Sequence, residues 1–155
     1  MLTTVISGGQ TGTDFWGISA AKKCGFKTGG TMPKGCRTQD GPRFDLLEEY
    51  GMKEHSSPDY PGRTEANVKD SDATIRFASN FKSAGEKLTL NLIKWYNKPY
   101  LDIDANNPSP IAEVIQWLKD NKVSVLNIAG NSEQTSPGIG EKAYKYFVEV
   151  FQNYN

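Results

Sequence analysis

The sequence predicts an α/β fold: a Rossmann-like three-layer αβα sandwich on a mainly parallel sheet of about five strands. Three observations carry this reading. Short apolar runs rich in β-branched residues alternate with segments of helical period along the whole chain. The runs are almost continuously apolar, as strands covered on both faces are. The junctions at residues 7–14 and 130–140 are glycine-rich and lead from a strand into a helix.

In chain order, Thr3-Thr4-Val5-Ile6 is a buried strand that runs into Ser7-Gly8-Gly9. A helix follows from Thr13 or Asp14, where a carboxylate favours a helix start. It carries Phe15, Ile18 and Ala21 on one face and stops at Gly25. Residues 26–32 hold a short second strand, and residues 29–35 a Gly/Pro-rich loop. Residues 44–50 form a short helix, and residues 55–62, punctuated by Pro58, Pro61 and Gly62, a loop. Thr64 caps a helix to Asp70, and Ala73–Phe77 is the third strand. Residues 86–97 place Leu88, Leu92 and Trp95 on a helical stripe, and Tyr100–Ile103 is the fourth strand. Ile111, Val114, Ile115 and Leu118 follow the spacing of an amphipathic helix. Val123–Ala129 is the most hydrophobic strand. A last helix from about Gly138, capped by Ser136 with Pro137 in its first turn, buries Tyr144, Phe147, Val148 and Phe151.

At 155 residues the chain suits one domain spanning residues 1–155. Eighteen basic residues balance 18 acidic ones, so no broad polyanion binder is expected, neither of nucleic acid nor of an anionic membrane. The balance is uneven. Residues 1–43 hold six basic side chains (Lys22, Lys23, Lys27, Lys34, Arg37, Arg43) against Asp14 and Asp40, a net of +4. No apolar run reaches the roughly 18 residues of a membrane span. Met1–Thr4 lacks the charged start of a signal peptide, so a cytoplasmic chain is expected. Two cysteines and one histidine (Cys24, Cys36, His55) cannot build a multi-histidine zinc site, and no metal ligands are assigned.

In a parallel sheet, ligands bind beyond the carboxyl ends of the strands. The candidate residues therefore lie in four segments. Ser7, Gly8, Gly9, Gln10, Thr11 and Gly12, with Asp14, form a glycine-rich loop at a helix N-terminus, suited to an anion. It is neither a Walker P-loop nor the full dinucleotide fingerprint. Lys34, Arg37 and Arg43 could clamp a phosphate or simply form a solvated loop, with Cys36 among them. Arg63 and Glu65 could pair with each other or face the cleft. Gly130, Ser136 and Gly138 frame a second helix start. No nucleophile elbow is present.

Taken together, Ile6-Ser7-Gly8-Gly9-Gln10-Thr11-Gly12-Thr13-Asp14, Met32-Pro33-Lys34-Gly35, Arg63-Thr64-Glu65-Ala66-Asn67-Val68, Asp70-Ser71-Asp72-Ala73-Thr74 and Ala129-Gly130 with Ser136-Pro137-Gly138-Ile139 resemble the molybdenum-cofactor carrier protein family. That family sits in the Rossmann-like SLOG group, distantly related to the Lonely Guy phosphoribohydrolases. The resemblance covers roughly residues 3–150. It implies a non-catalytic binder of molybdenum cofactor (molybdopterin) or a similar phosphorylated pterin or nucleotide. The small anionic ligand would lie among the residues named above, with Gly85 beside them. The chain would form a homo-oligomer, a dimer or tetramer, through aromatic surface such as Trp16, Trp95, Tyr96, Trp117 and Tyr154. The alternatives are a phosphoribohydrolase-like enzyme using Arg63 with Glu65 or Glu86, and a nucleotide-sensing module. Two segments depart from the family pattern. Ala84-Gly85-Glu86-Lys87-Leu88-Thr89 stands where Gly-Gly-Thr-x-x-Thr is usual, and Ala129-Gly130-Asn131-Ser132-Glu133-Gln134 where Ala-Gly-Pro-Arg-Glu-Ser is usual.

Overall fold

The computed structural model describes residues 1–155. Five parallel strands form the sheet: β1 (Thr4–Ile6), β2 (Lys27–Gly29), β7 (Ala73–Ala78), β8 (Tyr100–Asp104) and β9 (Val125–Gly130), in the order β2-β1-β9-β7-β8. Four two-residue strands stand apart from it. Of these, β3 (Thr31–Met32) pairs with β6 (Lys53–Glu54), and β4 (Arg37–Thr38) with β5 (Gly41–Pro42) in a small hairpin. The helices are α1 (Thr13–Lys23), α2 (Asp45–Glu49), α3 (Tyr60–Asp70), α4 (Ala84–Trp95), α5 (Ile111–Asp120) and α6 (Ile139–Asn153). None is long and apolar enough to cross a membrane.

The predicted three-layer architecture is present. On one face α1 packs along α6, with α5 beside α6; α3 and α4 pack against each other. Strand β7 is buried at all six positions, as a central parallel strand must be. Its Ile75 and Phe77 join Val5, Leu126, Ile128, Phe147 and Phe151 in the core, with the last two rings stacked at 5.8 Å. Burial of each such side chain contributes roughly 1.5–3 kcal/mol.

Strand order fixes where a ligand can sit. Counted with β9 as first, the order becomes 3-2-1-4-5, the arrangement of a doubly wound sheet. The chain is therefore that sheet with its first strand moved to the carboxyl end. The rearrangement needs neighbouring chain ends, and Tyr154 holds them together by accepting the Leu2 N–H at 2.8 Å. The switch point, where successive crossovers change direction, falls between β9 and β7.

Several local expectations are revised. The second strand is split at Gly30, whose pro-side-chain position lies 2.0 Å from the Ser7 carbonyl oxygen. Helix α3 begins at Tyr60, inside the expected loop, with Pro61 in its first turn. Thr64 does not cap it; its hydroxyl donates to the Tyr60 carbonyl. On α4 the Leu88/Leu92/Trp95 stripe is not the core face. Trp95 is 80% exposed, whereas Glu86, Thr89 and Ile93 face inward. Ser136 does not cap α6 either; the residue at that point is Gly138, and Ser136 lies 2.6 Å from the Ser79 hydroxyl. Tyr154 belongs to the core rather than to an aromatic surface.

The adjacency of the ends gives a direct test of the topology. A permuted chain that begins near Lys122, with Asn155 joined to Met1 by about six to eight flexible residues, restores the 3-2-1-4-5 order without breaking a strand pair. It is expected to fold with the same far-ultraviolet circular dichroism and a Tm within about 5 °C of the parent; loss of cooperative unfolding would contradict the topology.

Candidate functional site

A cavity of about 290 Å³ lies at the carboxyl end of β9, at the switch point. Its walls come from the β1–α1 loop, from α3, from the first turns of α4, and from residues 127–132. Of the sequence-predicted residues, Gly8, Gln10, Asp14, Arg63, Gly85, Glu86 and Gly130 line it.

The β1–α1 loop is built as expected but does not present a free anion site. Ser7 is buried; its hydroxyl donates to the Asp14 carbonyl at 2.9 Å and accepts the Gly9 N–H at 3.2 Å. Gly12 takes φ 83°, a left-handed value that glycine adopts without strain, and a side chain there would meet the Asn131 carbonyl oxygen at 2.5 Å. That tight crossing lets the Thr13 N–H donate to the same oxygen. Asp14 then folds back over the loop. Its Oδ2 accepts the Gln10 N–H at 3.3 Å and Arg63 Nη1 at 3.0 Å. An internal carboxylate thus occupies the place a ligand anion would take. Burial pushes the Asp14 carboxyl upward, and the Arg63 charge pulls it back.

The start of α6 is filled in the same way. The two oxygens of Glu133 accept the N–H groups of Gly138 (2.9 Å) and Gly140 (2.7 Å). Thr11, outside the cavity, ties the two loops together by accepting the Glu133 N–H and donating to Gln39. Gly9 packs on Met32.

Helix α4 is different. Ser83 Oγ accepts the Glu86 N–H at 3.4 Å, but the N–H groups of Ala84 and Gly85 find no acceptor in the protein. Both residues line the cavity, so N–H groups of this N-terminus are left free beside it.

The basic loop does not close on the cavity. Lys34 is exposed, Arg37 donates to the Pro58 carbonyl at 2.8 Å, and Arg43 pairs with Asp45 at 3.0 Å. Cys36 is buried away from the cavity, and burial raises its thiol pKa, the opposite of an activated cysteine. Glu65 points away from the cavity toward Tyr96. No three His, Cys, Asp or Glu side chains come together as a metal site.

The structure adds residues that the sequence reading had not singled out. Arg76, buried in β7, donates from Nε and Nη2 to the two oxygens of Asp102 at 2.7 and 2.6 Å, and from Nη1 to the Glu86 carbonyl at 2.9 Å. Arg76 is the one charged residue of β7, and the parallel register sets it directly beside Asp102, one of the two acids of β8. Asn131 holds the turn after β7 by accepting from the Ser79 and Asn80 N–H groups and donating to the Asn80 carbonyl. Two buried polar atoms remain without partners, Arg63 Nε and Glu86 Oε1, and both residues line the cavity. Burial raises the Glu86 carboxyl to about 7; Arg76 pulls it down, while Asp14 and Asp102 push it up.

The model of the circularly permutated YpsA SLOG family matches residues 5–151. A solved structure, named as a putative molybdenum carrier protein from Syntrophus aciditrophicus SB, is 35% identical. It aligns over 97% of this chain and 94% of its own, with a TM-score of 0.85. No curated protein matches the chain.

Glu86 makes stability depend on pH. Its folded pKa of about 7 lies above the usual 4.5, so its contribution is fully present below pH 4.5 and is lost as pH rises through 7. The full effect is about 3 kcal/mol. Urea unfolding is expected to show Glu86→Gln gaining stability relative to the parent by about 2–3 kcal/mol between about pH 4.5 and 7.5. A constant difference would contradict the buried, partnerless carboxyl.

Proposed function

Because the chain belongs to the circularly permutated YpsA SLOG family, we propose that its switch-point cavity binds a small anionic cofactor. The ligand would be molybdenum cofactor or a phosphorylated pterin or nucleotide of similar size, held as a carrier holds cargo. The observation that carries this reading is the pair of buried partnerless polar atoms, Arg63 Nε and Glu86 Oε1, on two residues of the cavity wall, beside a helix start whose Ala84 and Gly85 N–H groups have no acceptor in the protein. Buried polar groups in folded proteins are almost always satisfied, so a buried guanidinium N–H and a buried carboxyl oxygen left without partners side by side support a place for a ligand.

The residues present fit such a group at its phosphate end. The two N–H groups of α4 and the dipole of a 12-residue helix would hold the anionic oxygens. Arg63 would add its positive charge and its free Nε–H while Asp14 keeps its guanidinium in place. A cavity near 290 Å³ is at the small end of ligand sites, which suits one heterocycle with a phosphate rather than a dinucleotide. The named relative described as a molybdenum carrier protein supports the choice of cargo. Lys34, Arg37, Glu65, Ser136 and Gly138 lie outside the cavity and have no part in this reading.

One observation favours a second reading. A carboxyl held near pH 7 inside a cavity is poised for general acid catalysis, so Glu86 is the acid of a phosphoribohydrolase-like reaction if there is one. Base release from nucleoside monophosphates, abolished by Glu86→Gln, would establish it.

The binding reading is tested by titrating the protein with molybdenum cofactor, guanosine monophosphate and molybdate. At least one is expected to bind with a Kd of tens of micromolar or tighter, about −6 kcal/mol. Gly85 has open space where a side chain would stand, so Gly85→Ala should bind as the parent does. Gly85→Asp places a carboxylate at the open N-terminus, favourable for the helix and in competition with the ligand. It is expected to weaken binding at least tenfold. No binding by the parent, or equal binding by Gly85→Asp, would overturn the proposal.

A further inference from the structure

The charges around the cavity do not cancel in pairs. Arg63 is matched by Asp14 at 3.0 Å, and Arg76 by both oxygens of Asp102. Glu86 is a third acid facing two bases that already have partners. Its side chain is 4% exposed, and its Oε1 lies 3.8 Å from Arg76 Nη1, beyond hydrogen-bond length. The groups facing it are Asp14 from α1, Arg63 from α3, Arg76 from β7 and Asp102 from β8. With Glu86 ionised this cluster carries −1; with Glu86 protonated it is neutral.

The N–H groups of Ala84 and Gly85, the donors for an anion, belong to the same helical turn as Glu86, and all three residues line the cavity. An oxyanion placed there meets the carboxyl. If neither carries a proton, two sets of acceptor lone pairs and two like charges face each other. One proton between them replaces the facing lone pairs by a charge-assisted hydrogen bond, and where the carboxyl carries that proton the like-charge repulsion is removed as well.

We propose that Glu86 makes oxyanion binding in this cavity conditional on a proton, supplied either by the carboxyl or by the anion. The site thereby selects oxyanions that carry their own hydrogen over fully ionised ones. The inference rests on the anion-site reading above. Hydrogen phosphate still bears a hydrogen at about pH 8.5 and donates it to ionised Glu86. Sulfate has none to offer at any pH near neutrality and binds only when Glu86 is protonated. Because the carboxyl titrates at about 7, the choice between the two states falls within the physiological range.

The test is calorimetric titration of the full chain with sulfate and with inorganic phosphate at about pH 6, 7 and 8.5, in buffers of differing ionisation enthalpy. For the parent, sulfate affinity is expected to fall about tenfold per pH unit above about 7, with uptake of a proton on binding, while phosphate affinity falls less steeply. Glu86→Gln, whose amide donates at every pH, is expected to bind sulfate without pH dependence. Glu86→Thr, which places a hydroxyl there, provides a second neutral donor. The parent titrations stand alone if either variant fails to fold. Sulfate binding that is independent of pH in the parent, or that falls equally in Glu86→Gln, would overturn this proposal and leave the anion site intact. Failure of the parent to bind either anion at about pH 6 would overturn the anion-site reading, and this proposal with it.

Discussion

The ion pair between Asp14 and Arg63 is the contact on which the rest of the site depends. It joins the first helix to the third across the mouth of the sheet, with both side chains nearly buried. Asp14 also accepts the Gln10 N–H, so one carboxylate shapes the glycine-rich loop, neutralises Arg63 and closes the anion site that the loop would otherwise offer. Removing one partner of such a pair leaves an uncompensated buried charge, a cost of about 3–5 kcal/mol. Gly8 is part of the same constraint: a methyl group there would stand 1.6 Å from Arg63 Nη1, so the arginine can hold its place only over a glycine.

Self-occupation of helix N-termini recurs. Asp14 fills the loop before α1, and Glu133 takes the first N–H groups of α6. A helix start requires an acceptor, and a carboxylate from the same chain supplies it without a ligand. At α4 a serine hydroxyl reaches one N–H, and two others face the cavity. The two helix starts expected to hold an anion are thus met by carboxylates of the chain itself, whereas the helix that follows β7 keeps N–H groups without a protein partner. The topology agrees. Between β9 and β7, neighbouring crossovers leave in opposite directions and the helices part, which opens the cavity above the strand ends.

The buried arginines give the cavity its electrostatic character. Arg76 is fully engaged by Asp102, by the Glu86 carbonyl and by the face of Phe81 at 5.0 Å. Its charge is therefore already matched, and it gives Glu86 too little stabilisation to stay ionised at low cost. Glu86 departs from the hydroxyl-bearing pattern that the family resemblance led one to expect, and its consequence is a carboxyl that titrates near neutrality in the wall of the site.

The order and type of the main elements were legible in the sequence because a doubly covered parallel sheet demands unbroken apolar strands, and covering helices demand an apolar face. Both are local patterns, and they place β1, β7, β8, β9 and most helix boundaries. The glycine-rich loop, Arg63 and Glu86 were also legible as candidates. The sequence could not say which helix face turned inward on α4. There the more apolar stripe is only half-buried at Leu88 and Leu92 and ends in an exposed Trp95, while the polar Glu86 and Thr89 turn inward with Ile93. Nor could it say that Arg37 and Arg43 would be spent on neighbours, or that Asp14 and Glu133 would take the places expected for a ligand. A one-dimensional pattern fixes which residues can bind an anion. Only the folded chain decides which of their partners reach them first, since those partners lie up to 49 residues away and meet through the strand order.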